Sequence, residues 1–285
     1  AVVPGKPDDS ELLFRLLTED REDVMPPPKT EKKLKPEEIA LIKKWIEQGA
    51  EWEGHWSYDL PRKTSLPKGA HPVDHFIGTR LDAEGLKASA PAELHTLLRR
   101  LSFDLTGLPP TQDQVAAFRK HAATDLPGAL AAAADRLLDS PRYGERMAVF
   151  WLDLVRYADS IGYHSDNPMD VYPYREWVIE AFNANQGFDE FTRWQIAGDL
   201  LPNATSEQKV ASGYNRLLQT TAEGGAQAKE YVAIYAADRV RSISGAWLGS
   251  TLGCAQCHDH KYDPYTAKDF YSMAAFFADV KEKGV

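Results

Sequence analysis

The run Cys254-Ala255-Gln256-Cys257-His258, continuing as Asp259-His260-Lys261-Tyr262-Asp263-Pro264, constrains this chain more than any other stretch. It holds the only two cysteines among 285 residues. Two thiols one helical turn apart can each add across a vinyl group of one porphyrin, and a histidine directly after them can reach the iron as proximal ligand. The spacing therefore points to one covalently bound haem c on Cys254 and Cys257, with His258 on the iron. Other uses of paired cysteines stay open at this stage. A thiol redox pair needs no following histidine. A structural zinc needs four ligands, and Cys254, Cys257, His258 and His260 offer four within seven residues, whereas zinc sites usually set two ligand pairs about a dozen residues apart.

Haem c is attached outside the cytoplasm, so the motif predicts a periplasmic or otherwise extracytoplasmic protein. The chain does not open with a basic segment followed by an apolar core, so the expected export signal is cleaved or lies upstream of residue 1. With both cysteines in thioether bonds, none remains for a disulfide. A formal net charge of −9 argues against a nucleic-acid partner, because phosphate binding needs a basic face. No stretch approaches the ~18 to 20 apolar residues that span a bilayer. Seven Trp, twelve Tyr and eleven Phe mark a folded chain.

Strand signals are scarce and helical periodicity recurs, which predicts an all-α fold of two parts. Residues 1–56 read as a small helical unit. Asp9-Ser10 can cap a helix carrying Leu12, Leu13, Leu16 and Leu17, and a second helix opens at Pro36, carries Ile39, Ile42 and Ile46, and stops at Gly49. Between them, Asp23 to Pro28 is held extended by its prolines and presents Met25. On these residues alone Met25 is either a gap-filling side chain or a haem-iron ligand. Residues 57–72, with Pro61, Pro67 and Pro72, read as a linker. Residues 73–285 then read as a larger, irregular helical domain. It has helices near Leu94–Leu101 and Leu126–Leu138, a capping box at Thr111 and Gln114, an aromatic helix over Tyr143–Ala158, a long helix from Ala228 to about Leu248, and a last one over Ala267–Val280. The apolar side of that last helix, with Phe270, Tyr271, Ala274, Phe277 and Ala278, is expected to form one wall of the haem pocket.

Charged residues are woven into the aromatic helix: Arg146, Asp153 and Arg156, followed by Asp159. They suggest either interior ion pairs or a site. A polar loop from Ser160 to Pro173 adds Tyr163, His164, Asp166 and Asp170. Glu223-Gly224-Gly225 reads as a turn whose glycines let the backbone approach something closely. Arg156, Asp159, Asp166 and Glu223 are thus the candidate catalytic residues, with Arg175 and Asp199 as further lining groups.

Several long stretches carry a resemblance. Val2 to Pro7, Met25-Pro26-Pro27 and Trp45 to Ala50 resemble the C-terminal half of the planctomycete-type cytochrome c domain. From about residue 73 the chain resembles the helical domain of unknown function that follows it in large planctomycete and verrucomicrobial secreted proteins. The matching stretches are Leu98 to Pro110, Asp153 to Ser160, Ile196 to Pro202 and Cys254 to Pro264.

In that first domain a Cys-x-x-Cys-His lies upstream of the methionine, so the resemblance implies that Met25 is the distal ligand of a second haem held by a missing N-terminal half. Alternatively, Met25 has lost its partner, or one haem is kept and Met25 reaches the iron held by His258. His260, part of the pattern, cannot bend to the distal face of the haem on His258; it is expected to orient the proximal side by hydrogen bonding, together with Asp263. Met147, Met273 and His164 are the distal candidates within the larger domain. The family has no reaction that its motifs assign, and besides a structural haem in a scaffold for a C-terminal partner domain two functions stay open. One is electron transfer to a redox partner protein or to missing portions of the same polypeptide. The other is the haem subunit of an oxidoreductase acting at an open haem site on an extracellular, carbohydrate-type substrate.

Overall fold

The computed structural model describes residues 1–52, 54–164 and 166–281. All regular structure among them is helical, with twelve α-helices and two isolated β-bridges, as the periodicity predicts. The chain divides into two compact units, 1–77 and 78–285.

The first unit contains α1 (Glu11–Leu17) and α2 (Pro36–Glu47). Pro36 opens α2 at a position where a missing N–H costs nothing. Leu13 and Ile46 are its buried apolar side chains, and Gly5 N–H donates to the Ile46 carbonyl at 2.8 Å. Burying two such side chains contributes at most about 2 to 6 kcal/mol. Two expectations change. Ser10 is buried, and its hydroxyl accepts from Val3 N–H at 2.9 Å and donates to the Lys6 carbonyl at 2.8 Å instead of capping α1. The proline run is not wholly extended, because Pro28–Thr30 makes one 3-10 turn, which a proline at its first position permits. Helix α3 (Pro72–Ala83) contains the boundary between the units.

In the second unit, α4 (Leu94–Thr106), α5 (Gln112–Ala122) and α6 (Leu126–Leu138) close around Leu98, Phe118, Ala129 and Ala133. The expected capping box is present: Gln114 N–H donates to Thr111 Oγ1 at 3.3 Å, and Thr111 N–H to Gln114 Oε1 at 2.9 Å. Next come α7 (Pro141–Leu154), α8 (Tyr172–Asn183), α9 (Phe188–Ala197) and α10 (Ser206–Ala211). Helices α7 and α8 meet at Gly144, where a Cβ would lie 2.4 Å from the Ile179 carbonyl oxygen, so no larger residue fits without shifting a helix.

Trp151, Tyr174, Trp177, Phe191 and Tyr214 fill the main core. Trp151 Nε1 donates to Gln195 Oε1 at 2.9 Å and the Tyr174 hydroxyl donates to the same oxygen at 2.6 Å, whereas the buried Trp177 Nε1 has no hydrogen-bond partner. Helices α11 (Ala228–Ile243) and α12 (Ala267–Ala275) complete the unit.

Helix α7 ends four residues before the expected Ala158. Arg156 adopts a left-handed φ of 59° and so turns the chain out of the helix. Helix α12 ends at Ala275, not Val280; residues 276–279 continue as turns, with Phe276 N–H bonding back to the Met273 carbonyl at 3.2 Å.

Candidate functional site

Helix α11 loosens into a π turn over Ser244–Leu248, and Gly249, at φ 57°, ends it. A 3-10 turn, Leu252–Gln256, then carries the cysteine motif. With three residues per turn, side chains three apart stack on one face. Leu252 and Ala255 form the inner face, buried against Ala237 and Val240 of α11 and Phe270 of α12. Cys254 and Cys257 form the outer face, and both are exposed free thiols. Cys254 within the turn and Cys257 at its C-cap are thus both open to the outside, while Leu252 and Ala255 anchor the turn from behind.

His258 is exposed directly after the second thiol. Its Nδ1 lies 2.7 Å from the Asp259 carbonyl oxygen, which places the proton on Nδ1 and leaves the Nε2 lone pair facing outward as a ligand. His260 is opposite in character, with a nearly buried side chain. Its Nδ1 accepts from Asp263 N–H at 2.8 Å and Tyr262 N–H at 3.3 Å, and its Nε2 lies 3.0 Å from Thr251 Oγ1. The Asp263 carboxylate is 3.5 Å from the same Nδ1. A lone pair that already receives two N–H groups cannot also hold a proton for that carboxylate, so the two N–H bonds define the contact. His260 therefore clasps the 259–265 loop to the residue preceding the turn.

The Asp259 carboxylate accepts from Ala267 N–H at 2.8 Å, and the Tyr271 hydroxyl donates to the Gln256 carbonyl at 2.9 Å, so the start of α12 is tied to the same loop. Phe270, on the expected pocket-wall side of α12, packs beneath Ala255. Tyr271 lies at the exposed edge.

The donor set fits a haem c: two free thiols on one face, followed by an imidazole whose Nε2 is free. It fits zinc poorly, since both ring nitrogens of His260 are engaged. Among the described residues no three His, Cys, Asp or Glu side chains form a metal-sized cluster.

Met25 belongs to the first unit, where its N–H donates to the Arg15 carbonyl at 2.8 Å and its side chain is 44% exposed. Met273 packs on the inner side with Phe270 and Ala255, away from the thiol face. Met147 is half-buried in α7, and His164 is exposed in its loop.

Arg156 donates from both Nη atoms to the two oxygens of Asp238, at 2.9 and 2.8 Å, joining the end of α7 to the middle of α11. Hydrogen bonding to that carboxylate raises its pKa above the usual guanidinium value. The Tyr157 hydroxyl donates to Asp159 at 2.5 Å; burial first, and then this bond, pushes its pKa above the usual phenol range. Asp166 sits below the usual carboxylate range, held there by the Ser160 side chain and by Gly162 N–H at 2.9 Å.

Beside these groups lies a cavity of about 180 Å³ with Arg156, Ser160, Met169 and Gln219 in its wall. Of the four candidate catalytic residues, only Arg156 lines it. Asp159 and Asp166 stabilise their own loop, and Glu223 is exposed. The glycines at 224 and 225 have nothing within 4 Å of a built Cβ, so they approach nothing closely, and the expectation for that turn does not hold. Arg175 pairs with its neighbour Glu176. Asp199 lines a separate cavity of about 800 Å³ with Arg216, Met273 and Phe276.

Sequence reasoning missed α10, although Thr205 and Gln208 form a capping box of the kind found at Thr111. It also missed Thr251, whose hydroxyl completes the His260 clasp. The only sequence signal there is a hydroxyl residue just ahead of the motif.

Fold and site together define an all-helical protein with an outward-facing Cys-x-x-Cys-His turn. The chain belongs to the PSCyt2 family, described as "Protein of unknown function (DUF1549)", whose family model matches residues 72–282. Residues 1–29 match a second family model, PSCyt1, "Planctomycete cytochrome C". That match is similar in kind to the expected cytochrome-type stretch but ends well short of residue 56. Searches of curated proteins and of solved structures return no match. No helix among the described residues is long and apolar enough to cross a membrane.

Proposed function

We propose that this chain is an extracytoplasmic c-type cytochrome that binds haem through thioethers at Cys254 and Cys257, with His258 as proximal ligand, and that it transfers electrons. The observation that carries this reading is the 3-10 turn whose outer face holds both thiols and whose inner face is anchored in the core. When bound, the haem supplies a one-electron carrier. The chain's own residues do the positioning. Leu252 and Ala255 fix the turn, Asp259 holds the His258 tautomer through its carbonyl, and His260 with the Asp263 and Tyr262 amides keeps the following loop in place.

The exposure of Cys254, Cys257 and His258 supports electron exchange with a redox partner protein or with other portions of a longer polypeptide. Met25 is the distal ligand of a second haem in the first domain under this reading. The match of residues 1–29 to the cytochrome model and the half-exposed thioether support it.

An intact denatured mass combined with a pyridine haemochrome spectrum tests the central claim, because covalent haem survives denaturation. One haem per chain is the expected result. None would overturn the assignment and return the pair to thiol chemistry.

One observation favours an enzyme as the second reading. Arg156, Gly162, His164 and Asp166 all have positive φ, and such backbone clusters at active sites. Under that reading the cavity beside Arg156 takes substrate and the haem keeps an open sixth position. Rapid binding of cyanide or carbon monoxide to the loaded protein supports it; a six-coordinate, low-spin spectrum that ignores both ligands removes it.

A further inference from the structure

The attachment turn has a third face. Gly253 and Gln256, three residues apart, stack between the buried face of Leu252 and Ala255 and the exposed face of the thiols. One side chain covers that face. Arg241, in the last turn of α11, reaches across it and donates from Nη2 to Gln256 Oε1 at 2.5 Å. Its stem lies so close to Gly253 that a Cβ built there would stand 2.8 Å from Arg241 Cγ and 3.2 Å from Cδ. Gly253 is therefore the gap through which Arg241 passes, and Gln256 is where it ends.

Two consequences follow from this placement. Gln256 immediately precedes Cys257, so a bond to its side chain helps hold the second thiol in register with the first. The guanidinium is a cation, and its partner is a neutral amide. Among the described residues, no carboxylate lies within ion-pair distance of it. An unneutralised cation therefore flanks the edge of the turn that carries both thiols. Positive charge near a redox centre favours the form holding the extra electron.

We propose that Arg241 is a positioning residue of the haem site and the fixed charge that raises its reduction potential. This rests on the haem reading above. Because Arg241 is exposed, salt should screen its effect.

The test uses the full chain, expressed with a haem c attachment system, and potentials from spectroelectrochemical titration at low and high ionic strength. R241Q is expected to keep its covalent haem and to titrate at a lower potential than the wild type, with the gap narrowing in high salt. R241K, which keeps the charge, is expected to recover most of the shift. G253A displaces the stem without removing the charge and is expected to fall between, which keeps the proposal testable if R241Q loads poorly. Equal potentials for wild type and R241Q at low ionic strength overturn the proposal, as does a shift that R241K fails to reverse. A wild type without covalent haem is seen first in the denatured mass. That outcome removes the haem reading itself, whereas a loaded protein with an unmoved potential removes only the role of Arg241.

Discussion

The Met25 loop and the Cys254–His258 turn are both candidate haem contacts, but their support differs. The turn has three distinct faces, one sunk in the core, and its flanks are held by Thr251, His260, Asp259 and Tyr271. Met25 is held by one backbone bond to Arg15, and in the same unit Phe14, Leu17 and Leu41 are all exposed. A ligand-bearing segment is preorganised only where neighbouring elements of its own unit fill the space behind it.

The contrast is tested most severely at the thiols. Replacing both Cys254 and Cys257 with alanine should abolish covalent haem at this site, whereas M25A should leave the denatured mass of haem on the turn unchanged. Loss of that haem in M25A would make the two segments one site.

Unfolding in urea gives the next largest difference. Trp177, 2% exposed in the aromatic core, should cost about 3 to 5 kcal/mol on truncation to alanine. Leu17→Ala, on a mostly exposed side chain, should stay within about 0.5 kcal/mol. Equal losses would show that the first unit buries Leu17 against something in solution.

A smaller effect is expected at the start of α12. Thr266 caps the helix, with Asp269 N–H donating to its hydroxyl at 3.2 Å, and T266A should cost about 1 kcal/mol. Increased amide exchange at residues 267–270 would check it.

The smallest effect concerns pH. The Asp269 carboxyl is held below the usual carboxylate range by Thr266 N–H and by the Thr266 hydroxyl, both at its Oδ2. A depressed folded pKa contributes stability that is complete above the unfolded value of about 4 and is lost as pH falls through the lowered folded value. Amide protection at the start of α12, taken relative to the intrinsic exchange rate at each pH, should therefore fall in that acidic window, and D269N should flatten the dependence. An unchanged profile in D269N would assign the acid response to another group.

Much of the helical framework was legible. Pro36 and the Thr111 box mark helix starts set by local chemistry, and the observed helices obey them. What misled was length. Tyr143–Ala158 keeps an apolar rhythm past Leu154, but Arg156 leaves the helix for Asp238, 82 residues away. No local propensity records that partner. The candidate catalytic set scattered for the same reason: the carboxylates at 159 and 166 resemble site residues in sequence, and in space they bond to Tyr157 and to the Gly162 backbone.

The all-helical class, several helix ends and the cysteine–histidine spacing are written in the chain itself, because each depends on residues within one or two turns of one another. Which side of the Leu252–Gln256 turn faces out is settled only by packing. So is the division of labour in which His260 is spent on hydrogen bonds while His258 keeps a free nitrogen, and the path by which Arg241 crosses Gly253 to reach Gln256. The reason is physical: a turn of five residues cannot bury a face against itself, so its orientation is fixed only when α11 and α12 close beneath it.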